Sequence, residues 1–159
     1  MNKQTLIKKI VKQLVTELEL YTKAALAARA EATHEQSKAE NKYDTRGLEA
    51  SYLARGQSKQ AAEIMQAIEQ FEMLTARKFG AKDPIDISAL VELETKGERF
   101  FYFIGPRAGG MEILHEKKEV LLITPQSPLG QQLVGKKQGD KLKLEIAGSK
   151  SDYLVVSVS

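Results

Sequence analysis

No proline occurs before Pro84, and all four prolines, Pro84, Pro106, Pro125 and Pro128, follow within the second half of the chain. Proline removes an amide donor and clashes with the preceding helical turn, so a long proline-free stretch is where long helices can run. Most of the glycines also lie after this point. The character of the chain therefore changes near Phe79-Gly80. A helix-rich segment followed by a strand-rich one reads as α+β. The sequence divides accordingly into residues 1–79 and residues 80–159.

The first segment carries two seams. Ile7, Val11, Leu14, Leu18, Tyr21, Ala25, Ala28 and Ala32 alternate in steps of three and four, the spacing of a coiled-coil stripe. They predict one helix from residue 2 to about 38. A second helix is predicted from Arg46 to Phe79, with Ala50, Leu53, Gln57, Ala61, Ile64, Ile68, Phe71 and Thr75 in its seam and Gly80 ending it. The large residues sit early in the first seam and late in the second. Antiparallel pairing would place large against large and small against small, so an antiparallel helical hairpin is expected. A helix of ~35 residues is ~50 Å long, which sets a polar tip near residues 33–47 apart from the base.

The second segment reads as short strands: Ala89–Leu93, Phe100–Ile104, Glu112–Leu114, Glu119–Ile123, Lys141–Ile146 and Tyr153–Val158. Turn signals separate them: Lys96-Gly97-Glu98, Ala108-Gly109-Gly110, Gly139-Asp140 and Ala147-Gly148-Ser149. A short helix fits Leu129–Val134, with Ser127 as its N-cap and Pro128 at its first position. The run Phe100-Phe101-Tyr102-Phe103 is expected to be a core strand and not a base-stacking platform, because only alternate residues of a strand share a face.

Composition excludes several classes. There is no cysteine, hence no disulfide and no thiolate metal site, and a reducing cytoplasmic setting is expected. No apolar run reaches the roughly 20 residues of a membrane span, so no membrane partner is expected. The amphipathic, basic start of the chain does not resemble a signal peptide. The net charge of +3 is too small for a nucleic-acid footprint, so no direct sequence-specific contact with nucleic acid is expected. His34 and His115 are isolated from other metal ligands and are expected to be solvated or locally hydrogen-bonded. No phosphate loop, dinucleotide fingerprint or nucleophile elbow is present. The chain is thus not expected to be an enzyme in its own right. The carboxylates Glu35, Glu40 and Asp44 cluster in the tip. Carboxylates so placed could help hold a hard cation such as magnesium, or could simply form a solvated polar turn beside Lys38 and Lys42.

The segment Thr124-Pro125-Gln126-Ser127-Pro128-Leu129-Gly130-Gln131-Gln132-Leu133-Val134-Gly135-Lys136-Lys137-Gln138-Gly139-Asp140 resembles the C-terminal signature of Gre factors: Ser-Pro, a leucine-rich turn, then Gly-Lys-Lys-x-Gly-Asp. The hairpin before it and the strands around it match in order and approximate length, so the resemblance covers nearly the whole chain. It implies a transcription elongation factor with a coiled coil that enters the secondary channel of RNA polymerase. The C-terminal domain it implies is an FKBP-like antiparallel β domain with a short helix. The resemblance assigns contact with the channel rim to Gln126, Ser127 and Pro128. It implies a monomer that holds no metal or cofactor of its own and at most shares magnesium with the polymerase.

In cleavage-competent Gre factors the tip carries an Asp, two spacers, then Glu-Asn-Ala-Glu-Tyr. Here Glu40-Asn41 matches the Glu-Asn, but Ser37 stands at the Asp position, Gln36 at the preceding glycine, and Tyr43 is displaced by one residue. A serine hydroxyl is a poor substitute for a carboxylate on magnesium. Transcript cleavage is therefore expected to be weak or absent, with polymerase binding retained. The alternative function is an FKBP-like binding or chaperone module with a coiled-coil arm, outside transcription.

Overall fold

The computed structural model describes the backbone of residues 1–33 and 46–159, and side chains except those of residues 32 and 46–54. Two helices, α1 (Lys3–Thr33) and α2 (Arg46–Glu72), precede six strands. These are β1 (Leu90–Thr95), β2 (Glu98–Ile104), β3 (Glu112–His115), β4 (Lys118–Ile123), β5 (Lys141–Ile146) and β6 (Ser149–Val158), with a short helix α3 (Pro128–Leu133) between β4 and β5. The architecture is the expected one, a helical hairpin followed by a β domain with one short helix. Among the described residues no helix is long and apolar enough to cross a membrane.

Two compact units result: Val11–Glu69, and Met1–Ile10 together with Gln70–Ser159. In the helical unit the seams behave as amphipathic stripes should. Of the predicted positions Leu14, Ala25 and Ala28 are buried on α1 and Ile64 on α2; Ala67, outside the predicted seam, is buried too, and Ile68 is half-buried. Val11, Leu18, Tyr21 and Ala61 are half-buried. Small residues in a seam allow close helix approach, and alanine adds helix propensity without side-chain entropy.

The second helix ends earlier than its periodicity predicts. It stops at Glu72, and Thr75, assigned to the seam, is exposed. Competing tertiary hydrogen bonds explain the difference. The Leu74 amide donates to Phe71 O as a tightened last turn, and the Arg77 amide donates to Ser88 Oγ (3.2 Å). Lys3 Nζ donates to the carbonyls of Arg77 and Ser88, and stands 4.8 Å from the Phe79 ring. Residues 73–80 thus run as an irregular link. Gly80 opens a turn by donating its amide to Asp83 Oδ2 (2.7 Å) and does not cap a helix.

The β unit is one sheet in the order β3-β4-β2-β1-β6-β5. The strands pair antiparallel, as expected, with one exception: β2 runs parallel to β4. Alternating side chains send Val91, Leu93, Tyr102, Ile104, Leu144, Val155 and Val158 into a core that Leu129 and Leu133 of α3 close. On the opposite parity Phe103, Val120 and Leu122 are also buried. The same unit buries Leu6, Ile10 and Phe71 completely. Leu6 and Ile10 lie one turn apart beside the predicted seam, so the start of α1 carries a second apolar stripe that belongs to the β unit.

Two hairpins close at expected turn segments, each on two residues. Lys96-Gly97 and Ala147-Gly148 both have positive φ at each position, the type I′ geometry that suits twisted strands. The β3–β4 hairpin uses Glu116-Lys117, with φ of 48° and 64° and no glycine, a conformation that costs an L side chain about 1 kcal/mol. The Asn2 amide donates to Glu116 Oε1 (2.9 Å) and holds that carboxyl below its usual range. The outer edge of β5 is partly closed by the Gln132 amide, which donates to Glu145 O and accepts from Glu145 N. Such caps limit unwanted strand pairing.

His115 is neither solvated nor hydrogen-bonded, contrary to expectation. It is 1% exposed, and neither ring nitrogen has a hydrogen-bond partner. Its Nε2 lies 3.4 Å from Glu116 Oε1 without hydrogen-bond geometry. Strand alternation in β3 turns His115 to the same side as Ile113, into the unit's interior. An unpartnered buried polar group carries a desolvation cost, so His115→Leu is expected to raise unfolding stability by about 1 kcal/mol. Equilibrium denaturation would measure the change, and a loss of stability would contradict it.

Lys3 gives a pH dependence. Burial, and then the nearby Arg77, lower its ammonium pKa to about 8 from 10.5. The folded state therefore disfavours the cation. That cost is full below pH 8 and disappears as pH rises through 10.5, where the unfolded lysine also loses its proton. Solvent screening and the two carbonyl acceptors reduce it to about 1 kcal/mol. The stability of the wild type should gain on Lys3→Met by this amount between pH 8 and 10.5. A difference that does not change with pH would rule the assignment out.

Candidate partner-docking site

The site follows from the parallel pair. β2 and β4 align from Phe101 with Val120 to Ile104 with Ile123. Parallel neighbours cannot be joined by a tight turn. The chain leaves β2 at Ile104, crosses the carboxyl end of β4, and returns through β3. The crossing loop, 105–111, is tied down at both ends. Gly105 N donates to Ile123 O (2.8 Å), Gly110 N to Leu122 O (2.7 Å), and Leu122 N to Met111 O (2.8 Å). A Cβ on Gly105 would stand 2.6 Å from Leu122 Cδ1 and 2.8 Å from Phe71 Cζ, so the loop starts where only glycine fits. Ala108 and Gly110 have φ of 61° and 96°.

The next segment begins where β4 ends. Thr124 O accepts from the Ser127 amide (3.1 Å) and from Ser127 Oγ–H (2.7 Å). Ser127 Oγ in turn accepts from the Gly130 amide (3.1 Å). Ser127 has the extended backbone of an N-cap, and Pro128 opens α3 with an amide that needed no donor. A Cβ on Gly130 would fall 1.8 Å from Thr124 O, which makes glycine obligatory. Gln131 Nε2 donates to Gln126 O (3.0 Å) and braces the turn from outside. The two loops touch, since a Cβ placed on Gly109 would lie 3.4 Å from Thr124 Cγ2.

The remainder of the signature is architectural. Gly135 N donates to Ile85 O and Ile85 N to Lys136 O. Lys137 N donates to Asp140 Oδ2 (2.8 Å), Gly139 N to Val155 O and Val155 N to Asp140 O. Gly135 and Gly139 have φ of 87° and 89°, which favours glycine. The Gly-Lys-Lys-x-Gly-Asp pattern therefore leads the chain from α3 into β5.

Of the residues assigned to partner contact, Gln126 and Pro128 are exposed and Ser127 is half-buried beneath them. Ser127 organises the turn, while Gln126 and Pro128 present it. Glu35, Glu40, Asn41 and Asp44, with Ser37 and His34, lie outside the described residues. Among the described residues no group of three or more His, Cys, Asp or Glu side chains is placed to hold a metal. Arg107 was missed by the sequence reading, which took Ala108-Gly109-Gly110 only as a turn. It is exposed on the crossing loop beside the Ser127 turn. Only the skipped strand position brings the two loops together, and no local pattern encodes it.

Residues 81–159 match the family described as transcription elongation factor, GreA/GreB, C-terminal domain. Among solved structures, Thermus aquaticus Gfh1 is 25% identical over 92% of each chain, with a TM-score of 0.41. The GreA factor homolog 1 (Gfh1) of Thermus thermophilus is 23% identical over 94% of each chain, with a TM-score of 0.40. A GreA/GreB elongation factor from Nitrosomonas europaea is 18% identical over 65% of this chain and 79% of that one, with a TM-score of 0.38. No curated protein matches the chain.

The geometry ranks two substitutions. Ser127→Ala removes the cap and the second bond to Thr124 O, at an expected cost of about 1–2 kcal/mol. Gly130→Ala must displace a backbone carbonyl and should cost about 3 kcal/mol, the upper end for overpacking. Thermal unfolding of both variants would check the order. Equal stabilities would refute the close approach to Thr124 O.

Proposed function

The chain belongs to the GreA/GreB family of transcription elongation factors, and from that premise we propose that it binds RNA polymerase and regulates elongation from the secondary channel. The observation that carries this reading is the Thr124–Gly130 turn. Its interior is consumed by its own hydrogen bonds, yet Gln126 and Pro128 face outward on a rigid support. A preorganised surface loop loses little entropy on docking, which favours a contact role. In this reading the turn grips the channel rim while the helical hairpin occupies the channel.

The tip does not favour strong transcript cleavage. The matched positions provide one carboxylate, Glu40, beside Asn41, with Ser37 where a second carboxylate is required. Magnesium prefers charged oxygen ligands, so this donor set fits poorly and no catalytic step is assigned to it. Glu35 and Asp44 are the other tip carboxylates. Occupying the channel without cleaving would alter pausing, initiation or the access of other channel factors.

Two measurements test the reading. Core RNA polymerase should retain the protein at micromolar concentration, and Gln126→Ala should weaken retention without lowering the melting temperature; Pro128→Ala, which also removes the proline that opens α3, should weaken retention while the protein stays folded. Absence of wild-type retention would reject polymerase binding. Stalled, backtracked complexes should show little or no shortening of RNA on addition of the protein. Prompt shortening that Glu40→Ala abolishes would overturn the cleavage-deficient assignment.

A further inference from the structure

Loop 105–111 and turn 124–131 form one continuous surface, joined at Gly109 and Thr124. Neither segment contains an aspartate or glutamate, and Arg107 is the one charged residue in them. Arg107 is exposed, and among the described residues it takes part in no salt bridge. The amides of Arg107, Ala108 and Gly109 have no backbone acceptor there either. The loop that carries them is fixed at both ends by hydrogen bonds to β4, with buried Gly105 at its root. A guanidinium on a rigid support, beside amides that have no backbone acceptor, supplies the kind of donors that an anionic oxygen pair takes.

We infer that Arg107 is a second contact with RNA polymerase, receiving an acidic side chain on the protein surface where Gln126 and Pro128 dock. This inference rests on the polymerase-binding reading above. A carboxylate fits better than a nucleic-acid backbone. A phosphate track calls for several cations in a stripe, and these two loops hold one. The arginine fork matches a carboxylate in two parallel hydrogen bonds, which a lysine cannot reproduce.

The test uses the full chain and core polymerase freed of nucleic acid. Affinity is measured for the wild type, Arg107→Glu, Arg107→Lys and Lys150→Glu; Lys150 is exposed on β6, away from both loops in sequence. Thermal unfolding verifies that each variant is folded. Arg107→Glu should bind about 10-fold more weakly at low salt, with Arg107→Lys between it and the wild type and Lys150→Glu unchanged. The gap should narrow in 1 M salt, where the screening length falls to ~3 Å. If the wild type binds and Arg107→Glu binds equally well, or Lys150→Glu loses as much, the inference is overturned while polymerase binding stands. A defect seen only when nucleic acid is present would overturn the carboxylate assignment. Failure of the wild type itself to bind would remove the functional reading and this contact with it.

Discussion

The parallel pairing of β2 with β4 is the constraint on which the candidate site depends. An antiparallel neighbour would have allowed a two-residue turn after Ile104, and β3 would have occupied the position that β4 now holds. Instead the chain crosses the end of β4 before it can form β3. That crossing lays residues 105–111 against Thr124, where the next segment begins. Two loops distant in the pattern of the sequence become a single surface. The hydrogen bonds from Gly105 and Gly110 to the last carbonyls of β4 make the surface rigid.

A second constraint acts at the start of α1. Its first eight residues, Lys3 to Ile10, belong to the β unit although the helix continues to Thr33. Leu6 and Ile10 are as buried as any strand residue. Lys3 spends its ammonium hydrogens on carbonyls of the link and of Ser88. This is why α2 does not continue to Phe79: amides and carbonyls of the link find partners outside any helix. Helix propensity amounts to less than ~1 kcal/mol per residue, and several tertiary hydrogen bonds with burial exceed it.

The signature segment shows how one motif can carry two kinds of information. Ser127, Gly130, Gly135, Gly139 and Asp140 have local reasons to be what they are: a cap, a close approach, positive φ angles and a side chain that holds Lys137 N. Gln126 and Arg107 are exposed and Pro128 is exposed as well, although Pro128 also opens α3. In the proposed function recognition falls to the exposed residues, and the buried ones hold them in place. A resemblance over the whole segment therefore establishes the scaffold more firmly than the contact it supports.

Much of the fold was legible in the sequence, because its signals are local. The three-four seams, the Lys96-Gly97 and Ala147-Gly148 turns, the Ser127-Pro128 cap and the β5 limits each depend on neighbours within about a turn or a hairpin. What the sequence did not reveal depends on distant partners. The buried His115, the stripe of Leu6 and Ile10, the early end of α2, the parallel strand pair and the place of Arg107 beside Thr124 all arise when segments far apart in the chain meet. Periodicity reports which face of an element is apolar, since that is written in adjacent residues. Which surface covers that face, and which loops adjoin, was decided by the order in which the strands fill the sheet.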